Sequence, residues 1–130
     1  MSELFKSFQI SASAMQAQAQ RIRHVTENIA NADTPGYRRK VTSFENVVSQ
    51  GMTEGMIRTA PVSLDRSPLT QIYDPSHPLA DDSGYYEGSN VNSIVEIADA
   101  REAQRSYEAN LKMFDQARQT SKGLLELLRR

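Results

Sequence analysis

The chain contains no cysteine. It therefore has no disulfide staple and no thiolate chemistry, and redox usage says nothing about its compartment. It also has almost no net charge, with fifteen Lys and Arg against sixteen Asp and Glu. That balance gives no field able to gather nucleic acid or an anionic membrane surface, so neither partner is expected. Long hydrophobic runs are missing too. The apolar fraction is 38% over 130 residues, enough for one ordinary domain with a thin core. The N-terminal stretch MSELFKSFQISASAMQAQAQ has neither a basic n-region nor a continuous apolar h-region. No Sec-type signal and no membrane insertion are expected, and if the protein leaves the cytoplasm another route carries it.

What the chain does have is period. Met1, Phe5, Phe8, Ala12, Met15, Ala19, Ile22, Thr26 and Ile29 step by four and three residues over about four heptads. This spacing predicts a helix with a narrow seam, roughly 40 Å long at about 1.5 Å per residue. The other end repeats it at Ile97, Ala100, Gln104, Tyr107, Leu111, Phe114, Arg118, Ser121, Leu125 and Leu128. Asn92 or Ser93 is placed to cap this second helix, Glu96 lies near the capping-box position, and no proline follows Pro78 to interrupt it.

Between the two, residues 51–88 carry four prolines and four glycines with short β-like runs, MIRTAPVSL and LTQIYD. Residues 41–50 are ambiguous between a helical turn and an extended segment. The expected fold is mainly α: long N- and C-terminal helices packed as an antiparallel coiled-coil-like pair, with a small β-hairpin or turn-rich middle. The divisions are 1–32, 33–90 and 91–130, together one structural unit. Each stripe can be simple core, or its outer edges can bury against further copies. The thin core and the Gln and Arg at seam positions favour the second.

The junction NIANADTPGYRRK, residues 28–40, is dense in local instructions. Asn28 and Asn31, one turn apart, suit a helix C-terminus. Pro35 forbids continuation, Gly36 supplies the positive φ of a type II turn, and Tyr37 anchors the restart. Arg38, Arg39 and Lys40 are either a solvated run or partners for carboxylates such as Asp81 and Asp82 of another subunit.

Competing chemistry is sparse. Asp74, His77, Asp81 and Asp82 offer one histidine among carboxylates, a weak metal set that two prolines hold in turns. Local turn bonding explains it, so no metal and no cofactor are expected. His24 is expected at the surface or an interface. No nucleophile elbow, phosphate loop or HExxH occurs, so no enzyme is expected. A basic cluster with Tyr37 as its one interleaved aromatic is a poor nucleic-acid footprint. The alternative is a two-helix adaptor or chaperone that takes a partner's amphipathic helix in its groove.

A heptad helix ending in NIANADTPGY resembles the N-terminal signature of the axial proteins of the bacterial flagellum, the rod, hook and hook-associated subunits. YDPSHPLADDSGYYEGSNVN (73–92) and EAQRSYEANLKMFDQA (102–117) resemble two further blocks of the proximal rod members, leaving residues 41–72 poorly matched. The large inserted middle of hook and distal rod subunits is absent. The resemblance implies a structural role: export by the flagellar type III apparatus, then helical assembly into the proximal rod of the basal body in the periplasmic space. It also implies as partners copies of the same chain, other rod subunits, basal-body adaptor and membrane-ring proteins. The residues expected at its contacts are Phe5, Phe8, Met15, Ile22, Asn28, Ile29, Asn31, Pro35, Gly36, Tyr37, Tyr107, Leu111, Phe114, Leu125 and Leu128.

Overall fold

The computed structural model describes residues 2–129, apart from the side chains of Ser2 and residues 52–54. Two helices, α1 (Ser2–Ala30) and α2 (Ser93–Leu128), contain 29 and 36 residues, half of the chain. They run antiparallel. At one end the rings of Phe8 and Phe114 meet edge-on with centroids 5.0 Å apart, and at the other Asn28 reaches Glu96. The capping signal was legible: Asn92 is the N-cap of α2, its side chain accepting from the amides of Ile94 (3.1 Å) and Val95 (3.5 Å).

The middle is richer than the single hairpin expected. It forms three separate two-stranded antiparallel ladders: β1 (Lys40–Val41) with β4 (Ser63–Leu64), β2 (Phe44–Ser49) with β3 (Met52–Thr59), and β5 (Gln71–Tyr73) with β6 (Tyr85–Glu87). Most of the ambiguous stretch 41–50 is extended, in β1 and β2. The β2–β3 hairpin leans on α1 through a bulge. The register shifts beyond Asn46, and Gly55 opposite has φ +77°, which lets its bare backbone sit against Ile10. A Cβ there would lie 3.1 Å from the Ile10 Cδ1 atom. The Ser13 hydroxyl accepts the amide of Ile57 beside it (3.3 Å).

The core is as thin as composition suggested, and differently placed. Among the described residues the buried apolar side chains are Ala17, Val25, Ala103 and Ala117, accompanied by buried Ser11, Gln18, His24, Asn28, Ser89 and Glu96. The buried positions Ser11, Gln18, Val25 and Asn28 of α1 lie one residue before the stripe positions Ala12, Ala19, Thr26 and Ile29, while Phe8 of that stripe meets Phe114 of α2. Small and polar residues thus fill the most enclosed positions, and the larger apolar side chains of the stripe are half-buried or exposed. His24 also departs from expectation: it is buried, with Nδ1 2.6 Å from the Thr42 hydroxyl, because it faces β1 and not solvent. The accessible surface is 9253 Å², roughly a third more than the ~6,900 Å² of a compact monomer of 14.6 kDa.

Ala103 is fully buried between the helices. Ala103→Leu should therefore overpack the pair and cost about 1–3 kcal/mol, read as a lower urea midpoint by circular dichroism.

Candidate assembly surface and the junction that shapes it

The junction 28–40 is organised around one amide. Asn28 has no exposed surface, and its Oδ1 accepts the Tyr37 hydroxyl (2.9 Å) and the Lys40 amide (2.8 Å). Its Nδ2 donates to the Lys40 carbonyl (3.0 Å) and to Glu96 Oε2 (3.2 Å). Asn28 is therefore not the helix-end residue the sequence suggested. That task falls to Asn31, whose Nδ2 donates to the Glu27 carbonyl (2.9 Å).

Glu96 completes the set from α2. It is fully buried, and its other oxygen takes Arg39 Nε at 2.7 Å, while Arg39 Nη1 reaches Asp65 (3.3 Å). Asn90 accepts the Arg39 amide (2.7 Å) and donates to the carbonyls of Asp65 and Ser67. A buried carboxylate is tolerable only when charged and hydrogen-bonded partners meet it, and here both of its oxygens are met. Glu96 sits one position beyond the capping-box site, so its pattern looked like helix-start chemistry and its real role was missed.

The three cations are likewise spent inside the chain. Arg38 donates to the carbonyls of Asp65 and Ser67, Arg39 pairs with Glu96 and Asp65, and Lys40 pairs with Glu27. They are therefore not a merely solvated run, since each already has partners within its own chain. Asp81 accepts the amides of Ser83 and Tyr85 in its own loop. In the same loop Asp74 bonds Ser76, and His77 stacks on Tyr86 with centroids 3.9 Å apart.

The turn at residues 34–37 is built as drawn. The Tyr37 amide donates to the Thr34 carbonyl (3.2 Å) and Gly36 has φ +75°, the geometry of type II. The Gly36 amide then donates to the carbonyls of Glu87 and Gly88, docking the turn on the end of β6. Pro35 and Gly36 are exposed beside Tyr85 and Leu79.

The expected contact residues divide into three groups. Asn28, Asn31, Pro35, Gly36 and Tyr37 belong to the junction. Phe8, Met15, Ile22, Tyr107 and Phe114 are half-buried, and Phe8 and Phe114 meet across the two helices. Phe5, Ile29, Leu111, Leu125 and Leu128 are exposed, Phe5 at 63% and Leu128 at 78%. Ile22, Tyr107 and Leu111, with Ala19, Gln104 and Glu108, line an open groove of about 500 Å³. Among the described residues, Leu124, Leu125, Leu127 and Leu128 on the last turns of α2 are exposed as well.

Comparison with known proteins follows these same segments. A family model described as Flagella basal body rod protein matches residues 8–38, and one described as Flagellar basal body rod FlgEFG protein C-terminal matches residues 82–127. The flagellar basal-body rod protein FlgC of Agrobacterium fabrum is 38% identical over 136 residues, covering 99% of this chain and 98% of its own. This chain belongs to the FlgC family of flagellar basal-body rod proteins. Family members of the same name in Salmonella typhimurium (33% identical; 86% of this chain, 88% of its own) and Borreliella burgdorferi (31%; 96% and 97%) are similar across most of their length. The likeness to the Agrobacterium protein thus runs through residues 41–72, which the sequence motifs alone left poorly matched. The chain is a structural rod subunit, and the adaptor reading is not favoured. The two family-matched segments are the ones that the Asn28–Glu96 bond ties together.

Asn28→Ala removes four hydrogen bonds and leaves the Lys40 amide and one Glu96 oxygen without a partner. It should cost about 3 kcal/mol, visible as a lowered urea midpoint with the helices otherwise retained. Asp65 supplies a pH test. The Ser67 hydroxyl, then its amide and Arg39, hold the Asp65 carboxyl below its ordinary value of 3.8. A carboxyl depressed in the folded state stabilises above its unfolded value and loses that contribution as pH falls through the folded one. Wild type should therefore exceed Asp65→Asn in stability near neutral pH, and the gap should close below about pH 4 in parallel urea titrations. A gap unchanged by acid would contradict this assignment.

Proposed function

We propose that the chain forms part of the proximal rod, adding by a screw operation to copies of itself and to related rod subunits so as to build a shaft that transmits torque. The observation that carries this reading is the unpaired apolar flank. A member of a rod family has two helices whose most buried positions are mostly small or polar, while large apolar side chains such as Phe5, Leu111, Leu125 and Leu128 are exposed. Heterologous contacts of that kind extend without closing and generate a helical tube. In this arrangement the helices form inner layers with coiled-coil-like contacts, and the three β ladders lie outward. The chain has no catalytic role and needs no cofactor. It travels through the type III export channel to the periplasmic space without a cleaved signal, and meets basal-body adaptor and membrane-ring proteins there. A chain with a thin core and surplus apolar surface suits this route, since its burial is completed by assembly.

Deleting the gene in the native bacterium and imaging the cell envelope tests the reading. Membrane rings lacking rods support it, and intact rods with normal swimming overturn it. The sharper variant is Leu125→Asp with Leu128→Asp. Both positions are exposed in the free chain, so its circular dichroism should be unchanged, whereas rods should be lost because carboxylates buried in an apolar contact cost several kcal/mol each.

A further inference from the structure

The loop between β5 and β6 is a run of three tight turns, and one of them is closed by a side chain unlike the other two. The amides of His77, Ala80 and Gly84 donate to the carbonyls of Asp74, His77 and Asp81, each at 3.0 Å. In every turn the first residue's side chain also accepts the amide two positions on. Asp74 Oδ1 takes Ser76 (3.2 Å), His77 Nδ1 takes Leu79 (3.1 Å) and Asp81 Oδ1 takes Ser83 (2.9 Å). Aspartate suits this position because its carboxylate oxygen, bonded to Cγ, reaches back to its own backbone. Histidine Nδ1 is also bonded to Cγ, so His77 stands in for an aspartate. Its partner here is an N–H donor, so Nδ1 is bare and the ring's proton sits on Nε2.

We propose that His77 is a pH-sensitive latch on this loop: bare, its Nδ1 holds the Leu79 amide, and protonated, it lets that amide go. Imidazole is the side chain whose charge changes between about pH 5 and 8. An imidazolium has two N–H donors and no acceptor, so the Leu79 amide would then face another donor. The charged ring still has a seat. It lies flat on Tyr86 of β6, centroids 3.9 Å apart, and a tyrosine face attracts a cation. On the preceding turn, Asp74 binds the Ser76 hydroxyl (2.7 Å), which is the first cause holding its carboxyl below the ordinary value, so it remains an anion across the imidazole range. Asp81 is turned to the amides of Ser83 and Tyr85, Asp82 is exposed, and the rings of Tyr73 and Tyr85 pack on each other. His77 makes no ion pair among the described residues. The latch acts on a surface. Leu79 is exposed and, with Pro35, Gly36 and Tyr85, lines an open groove of about 420 Å³ beside the junction turn. Its wall is fixed while Nδ1 is bare and loosened once the ring is charged. This is a property of the free chain and stands apart from the rod reading.

Nuclear magnetic resonance on the whole isotope-labelled chain tests this. At about pH 8 His77 should carry its proton on Nε2. On acidification the Leu79 amide and methyl resonances should move with the same midpoint as the His77 ring. Exchange protection of that amide should fall about fivefold, the worth of one ordinary hydrogen bond. His77→Asn, whose Oδ1 accepts the same amide without titrating, should abolish the pH dependence. His77→Phe, which keeps a ring for Tyr86 but has no acceptor, should show the lowered protection at every pH. The other histidine, His24, remains in both variants as an internal control. A proton on Nδ1 at the alkaline end overturns the latch, as does a Leu79 amide unmoved while the ring titrates, or a pH dependence that survives His77→Asn. If either variant fails to fold, the tautomer and the shared midpoint in the wild-type chain decide the matter alone.

Discussion

One buried carboxylate sets the terms for the rest of the molecule. Glu96 lies on the first turns of α2 without exposed surface, and it is held by the Asn28 amide from α1 and the Arg39 guanidinium from the junction. An uncompensated carboxylate in that place would be strongly unfavourable, so α1, the turn after it and α2 must arrive together. The bond from Asn28 to Glu96 has a single satisfactory register. Sliding either helix by one residue would aim one of the two polar groups away from the other. The buried small and polar residues of both helices, Ser11, Gln18, Val25 and Ala103 among them, accord with that register.

The gross architecture was legible because it depends on signals that act locally. Two long 3,4 periodicities, an Asn N-cap at residue 92, and a Thr-Pro-Gly-Tyr turn each specify backbone geometry within a few residues. What was not legible depends on contacts distant in sequence. Ser11, Gln18 and Asn28 are polar, so a hydrophobic pattern assigns them to the outside, yet they form the inner line. Their partner Glu96 is 68 positions from Asn28. The middle was underestimated for the same reason. A two-residue strand such as Lys40–Val41 has almost no period of its own and is recognisable only through its partner at Ser63–Leu64. The cationic run at 38–40 looked available for another subunit because nothing nearby in sequence reveals that Asp65, Glu96 and Glu27 converge on it.

The apolar stripes read from the sequence were real, but their meaning was displaced. In a self-sufficient globule the widest apolar line faces the core, because burial of large side chains is the main favourable term. Here that line is half-buried or exposed, while alanines, a valine and polar side chains fill the enclosed positions. A chain organised this way sacrifices the stability of the isolated subunit. Its large apolar side chains stay uncovered in the free chain, which accounts for the surplus of exposed surface and leaves them available for the contacts proposed between subunits.

These two features are coupled. A flank used for assembly must present its side chains at fixed positions relative to both helices, since a groove made by α1 and α2 together changes shape if either slides. Apolar packing between small residues fixes such a register weakly, because one alanine replaces another at little cost. A buried polar set fixes it well, because every misaligned register leaves a carboxylate or an amide unmet. The polar interior therefore holds the shape of the Ala19–Leu111 groove, which both helices line, in a thinly packed subunit. That constancy is what a repeated, non-closing contact requires, for an angular error at one joint is carried into each subunit that follows.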